Sequence, residues 1–284
     1  MSTQSIVGGP DRTHLRAMWG SVAGGWAEHS DYVDARGAHV TEAMLDLTAP
    51  QPGERVLELA CGAGGVGLAA ADRGSEVVLS DVAPEMTAIA ARRAAGRKGV
   101  STLVLDLEEI AQPDASYDVV LCREGLMLTP DPARAAREIA RVLRPGGRVA
   151  VAVWAARERN PWLGIVLDAV SAQIGAPVPP PGVPGPFSLT DPDRLAGLLA
   201  DAGFEDVAVS EVPVPARARS FEEWWARTVA LAGPLARVLG SLPAPAAEAV
   251  RARARANVRD YETADGLELP GVTLLASART STRS

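Results

Sequence analysis

A chain of 284 residues with 47% hydrophobic side chains can bury one large α/β core with small additions, and a net charge of -7 argues against a nucleic-acid surface, which needs clustered positive charge. No run approaches the roughly 18 apolar residues of a membrane span, and the first residues lack the basic-then-apolar pattern of a secretion signal, so a cytoplasmic protein with no membrane partner is expected. Cys61 and Cys122 have no metal-ligand spacing around them and read as small buried fillers, leaving no metal site in the sequence.

The first 50 residues read as helical. Trp19, Trp26, His29 and Tyr32 interleave with Gly20, Gly24 and Gly25, a mixture that suits a lid over a cleft. An amphipathic helix from about 39 to 47 stops before Pro50, Pro52 and Gly53. Strand and helix signals then alternate: strand 55–60, a glycine-rich turn, helix 65–73, strand 76–80 ending at Asp81, helix 84–95 and strand 102–105 ending at Asp106. Strand 117–122, helix 132–143 and strand 148–154 complete the run, the last entered through the turn at 144–147. The order predicts an α/β fold with a doubly wound, parallel Rossmann-like sheet that binds ligands at the carboxyl ends of its strands.

After Trp154 the rhythm breaks. A helix runs to about 173, six prolines stiffen 177–186, and a helix at 191–202 and a strand at 205–212 resume the fold. A helical insertion is expected between 213 and 265, with Trp224 and Trp225 in it, followed by a last strand at 271–277 and a frayed tail from 278. The arginines at 251, 253, 255 and 259 read as a solvated helix face. The whole is expected to be a single domain: lid 1–50, cofactor core 51–212, insertion and substrate cap 213–265, last strand and tail 266–284.

Chemistry concentrates at the first turn, where Gly62, Gly64 and Gly67 spell G-x-G-x-x-G. Nicotinamide, flavin and S-adenosylmethionine sites share that spacing, so the neighbours decide. Asp81, about 19 residues on, can accept both ribose hydroxyls. Glu58, inside the strand before the glycines, is costly to bury unless a cation or donor meets it. The α-ammonium of a methionine moiety answers that need, whereas a pyrophosphate would be repelled. Asp106 offers a further acceptor, for an adenine amino group.

The segments Glu58-Leu59-Ala60-Cys61-Gly62-Ala63-Gly64, Asp81 with Pro84-Glu85-Met86, Asp106-Leu107-Glu108, Tyr117-Asp118-Val119-Val120 and Leu143-Arg144-Pro145-Gly146-Gly147 together resemble a class I S-adenosylmethionine-dependent methyltransferase. Within that class the chain is most similar to the small-molecule branch of the ubiquinone and menaquinone biosynthesis type. The resemblance implies a seven-stranded, mostly parallel sheet with an antiparallel edge pair. It implies S-adenosyl-L-methionine as cofactor and S-adenosyl-L-homocysteine as product. The cofactor residues it implies are Glu58, Ala60, Cys61, Gly62, Gly64, Asp81, Val82, Met86, Asp106, Leu107 and Arg123. Ala60 departs from the glycine most often found at the first position of that motif.

The reaction so implied is an in-line displacement of an activated methyl, which positioning in a dry site can accelerate without a general base. If the acceptor is a hydroxyl, His29 is the proton acceptor suggested by its place in the lid, and Arg123, after the fourth strand, is the second catalytic candidate. Trp19, Trp26, Tyr32, Asn160, Trp162, Trp224 and Trp225 are the acceptor-pocket candidates. The acceptor is expected to be a small aromatic or polyketide-like molecule methylated on oxygen or carbon. The alternative is a protein of this fold that binds the cofactor without transferring methyl. A nicotinamide oxidoreductase would need a proton donor of the Tyr-x-x-x-Lys kind, and Lys98 is the only lysine. No nucleic-acid partner is expected; a protein acceptor, and the choice between monomer and homodimer, stay open.

Overall fold

The computed structural model describes residues 12–282. Three helices come first, α1 (Arg12–Ser21), α2 (Ala23–Glu28) and α3 (Ser30–Thr48). The alternating run comprises β1 (Arg55–Leu59), α4 (Gly65–Asp72), β2 (Glu76–Asp81), α5 (Pro84–Arg93), β3 (Val100–Val104), β4 (Tyr117–Arg123), α6 (Pro132–Val142) and β5 (Leu143–Trp154). Beyond it lie α7 (Pro161–Ile174), α8 (Pro192–Asp201) and β6 (Phe204–Pro213). Then come β7 (Ala216–Ala218), α9 (Phe221–Leu231), α10 (Gly233–Ser241), α11 (Ala244–Asn257), β8 (Glu262–Thr263), β9 (Gly266–Leu269) and β10 (Val272–Thr280).

Seven strands form one sheet in the order β3-β2-β1-β4-β5-β10-β6. The first five are parallel, and β10 enters antiparallel to both β5 and β6. The central strands are apolar on both faces, with Val56, Leu57, Leu59 and the run Val119 to Cys122 buried, because helices cover both sides of the sheet. From β1 the chain winds outward through β2 to β3, then returns to place β4 on the other flank of β1. That reversal opens a crevice at the carboxyl ends of β1 and β4.

Local sequence sets the element ends. Asp131 caps α6 by accepting the Arg134 N–H at 2.9 Å, and Asp191 caps α8 in the same manner from Asp193, each followed by a proline whose fixed φ suits the first helical turn. The lid is seated rather than loose: Val22 and Ala23 pack on Ala83, Met86 and Ile89 at the start of α5. A separate apolar cluster joins Val166 and Val170 of α7, Trp224 of α9, Val250 and Ala254 of α11 and Leu269 of β9.

Several boundaries depart from the sequence reading, among them the helix expected at about 39–47, which belongs to α3 running from Ser30, and the strand expected at 102–105, which is β3 at Val100–Val104. The tail expected from residue 278 is strand up to Thr280, whose hydroxyl donates to the Arg144 carbonyl at 2.6 Å. The turn expected at 144–147 falls within β5, which begins at Leu143 opposite Tyr117. The insertion is not purely helical, since β7, β9 and β8 form a small antiparallel sheet against it. The arginines of α11 do face solvent in part, yet Arg251 and Arg255 also bracket Glu222 and lie over the Phe221 ring at 5.5 and 4.3 Å.

Candidate functional site

The carboxyl end of β1 runs into a turn whose backbone is left-handed at Ala60 (φ +50°), Gly62 (+52°) and Gly64 (+82°). Two glycines there are set by close approach. A Cβ on Gly62 would stand 2.9 Å from the Trp26 ring, and one on Gly67 would stand 2.3 Å from Leu79 Cδ2 and 2.7 Å from Glu58 Oε2. Glu58 is buried, and its Oε2 accepts the Gly67 N–H at 2.8 Å, tying the strand to the first turn of α4. Burial raises its pKa to about 7, against the pull of the Gly67 N–H and the Arg123 charge.

Asp81, the last residue of β2, accepts the Gly62 N–H on Oδ2 (3.0 Å) and the Ala83 N–H on Oδ1 (2.9 Å). Burial raises its pKa to about 6, opposed by those backbone donors. Each oxygen keeps further acceptor capacity, so the side chain can brace the glycine turn and still receive hydroxyls. Asp106 accepts the Glu108 N–H at 2.8 Å, and Glu108 accepts the Asp131 N–H at 2.7 Å, fixing the loop after β3 against α6. Arg123, closing β4, donates to Thr41 Oγ1 at 2.8 Å and so reaches across to α3.

These strand ends open onto one cavity, roofed by the lid. At the strand ends its lining includes Ala60, Gly62, Asp81, Val82, Met86, Asp106, Leu107 and Arg123, together with Trp19 and Trp26. The cavity continues past Glu124, Gly125 and Leu128 to Tyr32, Arg36, Trp154, Trp162, Val214, Arg227 and Thr228. The lid is fastened at both sides: Trp26 Nε1 donates to the Leu231 carbonyl at 3.0 Å, and Asp34 pairs with Arg93, which donates to the Ala63 carbonyl at 2.6 Å. The acceptor carboxylates and apolar walls fit a ribose-bearing ligand with a flat base. Carboxylates stand at the end of β2 (Asp81) and in the loop after β3 (Asp106), and Leu107, Val82 and Met86 supply apolar walls.

Several predicted residues lie off this cavity, each for a visible reason. His29 sits at the junction of α2 and α3 and is not among the lining residues. Asn160 is fully buried and fully engaged: its amide donates to the carbonyls of Ala155, Ala156 and Val272, and its oxygen accepts the Val272 and Trp162 N–H groups. It knots the exit of β5 to α7 and β10. Trp224 donates to the Trp162 carbonyl at 3.1 Å and packs with Phe221, while Trp225 stacks on the same ring at 5.9 Å, so both belong to the insertion's core. Glu58, Cys61 and Gly64 lie behind the lining and shape it; burial pushes the thiols of Cys61 and Cys122 up, the latter to about 12, so neither is a ready nucleophile.

Arg36, Trp154 and Arg227 were not singled out from sequence. Arg36 follows Tyr32 by four residues and so shares its helix face, a spacing the sequence carries. Glu124, at φ +62°, carries a pKa raised by burial and partly offset by Arg123 and Arg36. Among the described residues there is no cluster of three or more His, Cys, Asp or Glu side chains able to hold a metal, and no helix long and apolar enough to cross a membrane.

A family model described as a methyltransferase domain matches residues 57–151, the segment from β1 to β5. Nocamycin O-methyltransferase of Saccharothrix syringae is 32% identical over 200 residues, which cover 64% of this chain and 70% of that protein. An uncharacterised protein of Mycobacterium tuberculosis is 31% identical over 191 residues, 66% of this chain; the chain thus spans about 65% of the length of that relative. The crystal structure of the [4+2]-cyclase SpnF shares the fold, with a TM-score of 0.56 and 22% identity over 98% of this chain and 99% of that one. The strand order with its antiparallel β10, the glycine turn after β1 and the similarity to the nocamycin enzyme agree: this chain belongs to the class I S-adenosylmethionine-dependent methyltransferase family.

Proposed function

We propose that the protein transfers a methyl group from S-adenosylmethionine to a small-molecule acceptor. The observation that carries the reading is that Ala60, Gly62, Asp81, Asp106 and Arg123, from four successive strand ends, line a single cavity that continues into an aromatic-walled chamber under the lid. In this reading Asp81 receives the ribose hydroxyls and Asp106 the adenine edge. Ala60 and Gly62 present backbone to the amino-acid moiety. Glu58 acts from behind the turn by fixing Gly67, in place of direct contact with the ligand. The bound cofactor supplies a methyl already activated on a sulfonium; the chain's part is to hold an acceptor atom in line and keep water out. Support for a small acceptor comes from the enclosed chamber, from Trp154 and Trp162 packed at 5.0 Å in its wall, and from the relative named for O-methylation.

Titration calorimetry tests the reading: S-adenosylhomocysteine binds and NAD does not. Because the fold is shared with a cyclase, a second reading, binding without transfer, is separated by turnover. Incubation of the protein and isotopically labelled S-adenosylmethionine with small-molecule extract yields a labelled product and S-adenosylhomocysteine if methyl is transferred. Binding with no labelled product favours the second reading.

A further inference from the structure

The acceptor end of the cavity is built around a cation with too few partners. Arg36 rises from the middle of α3, its guanidinium 3.9 Å from the Trp162 ring centroid and 5.2 Å from that of Trp154. It donates to the Val214 carbonyl at 3.2 Å, and its buried Nε–H has no acceptor. A guanidinium offers five N–H donors in a planar fork that matches a carboxylate or an enolate edge. Burial lowers the Arg36 pKa; Glu124 and Tyr32 work against that fall, and the charge of Arg227 adds to it. Arg227 is itself nearly buried and lies 3.5 Å over the Tyr32 ring, satisfied by the Arg217 carbonyl and by Glu223. Arg227 thus has its carboxylate in Glu223, which leaves Arg36 to share Glu124 with Arg123, and burial favours the neutral form of that one acid. Stacking on two indoles does not replace the hydration that a buried cation gives up.

We propose that the acceptor carries an anionic oxygen, a carboxylate or an enolate, on a flat apolar body, and that Arg36 holds that oxygen while the Trp154–Trp162 wall takes the flat body. This rests on the methyltransferase reading and narrows it to an acidic acceptor class. It also removes the need for a side-chain base at the attacking atom, because an acceptor bound as an anion has already lost its proton.

The test compares acid and neutral probes on the full chain, by calorimetry or tryptophan fluorescence, with and without S-adenosylhomocysteine. The carboxylate arm uses 2-naphthoate against 2-naphthamide, and the enolate arm uses 4-hydroxycoumarin against coumarin. The expected result is that the acid of at least one pair binds about tenfold or more tightly than its neutral partner, the size of one good charged contact. The arm that shows the preference names the source of the anion. Arg36→Gln is expected to bring that preference below about threefold with S-adenosylhomocysteine affinity unchanged, and Arg36→Lys, which keeps the charge and loses the fork, to fall between. Equal binding of acid and neutral probes in both arms, no binding of either acid, or a preference that survives Arg36→Gln overturns the proposal. If Arg36→Gln fails to fold, the wild-type comparison still decides. Failure of S-adenosylhomocysteine to bind the wild-type protein overturns the methyltransferase reading itself. Bound S-adenosylhomocysteine without charge preference overturns the acidic acceptor alone.

Discussion

Asp81 and Glu58, both acids near the glycine turn, do different work. Asp81 reaches the cavity while bracing two backbone N–H groups, so Asp81→Ala is expected to weaken S-adenosylhomocysteine binding by about 1.5–3 kcal/mol in calorimetry, the range for hydrogen bonds to a charged group. Unchanged affinity removes it from the site. Glu58 lies behind the cavity lining, and its expected effect is on stability. Its carboxyl pKa is 4.5 ordinarily and about 7 in the fold, so the native state holds a proton that the unfolded chain releases across that interval. The stabilisation is complete below pH 4.5 and is lost as pH rises to about 7, a change on the order of 3 kcal/mol at ~1.4 kcal/mol per unit. Glu58→Gln keeps an acceptor for Gly67 and removes the titration. Urea unfolding at pH 5 and pH 8 is expected to show the variant gaining on the wild type at the higher pH; Asp81, raised to about 6, leaves a smaller slope of the same sign in both. His29→Ala, off the cavity, is expected to leave the pH–rate profile unchanged, and a shifted profile would return that histidine to the mechanism.

Among the elements, β1, β2, β4 and β5 are legible because each carries a run of apolar residues, whereas the edge strand β3 (Val100–Val104) is interrupted by Ser101 and Thr102, is largely exposed, and starts two residues before the expected 102–105. The short strands β7, β8 and β9 are not legible, since two to four residues with mixed polarity give no periodicity and form only where α9 and α11 offer a surface. Of the tryptophans expected in the pocket, Trp224 and Trp225 lie elsewhere, for a related reason. Trp162 and Trp224 both have a polar tip in need of a partner, and sequence cannot tell whether that partner is a ligand or, as for Trp224, a neighbouring carbonyl. Trp26 shows the reverse case. It lines the cavity and its indole also ties α2 to the end of α9, so Trp26→Phe removes one hydrogen bond worth about 1 kcal/mol and is expected to speed S-adenosylhomocysteine release about fivefold in stopped-flow measurements.

Across the whole molecule, the cavity is enclosed by segments far apart in sequence: the lid helices, four strand ends, the exit of β5 and the helix α9. A ligand that bridges them stabilises the folded state by mass action, about 2.7 kcal/mol at a hundredfold excess over Kd. Hydrogen exchange with and without S-adenosylhomocysteine is expected to show added protection at residues 60–64 and 81–83 and, through the lid, at 23–37 and 224–232. Protection confined to the strand ends would mean that the lid does not respond to the cofactor.

The position of β10 has a consequence for how the chain is made. In the large sheet, among the described residues, β6 pairs with β10 alone, and β10 also covers the outer edge of β5, so two sheet edges lie open until residues 272–280 have been synthesised. On the ribosome the five parallel strands can assemble early, while the sheet closes only after the insertion has emerged and its last strand threads back between two waiting neighbours. A truncation before residue 272 leaves both edges bare, and such edges are templates for pairing with other chains. The strand that finishes the fold is thus also its protection against aggregation.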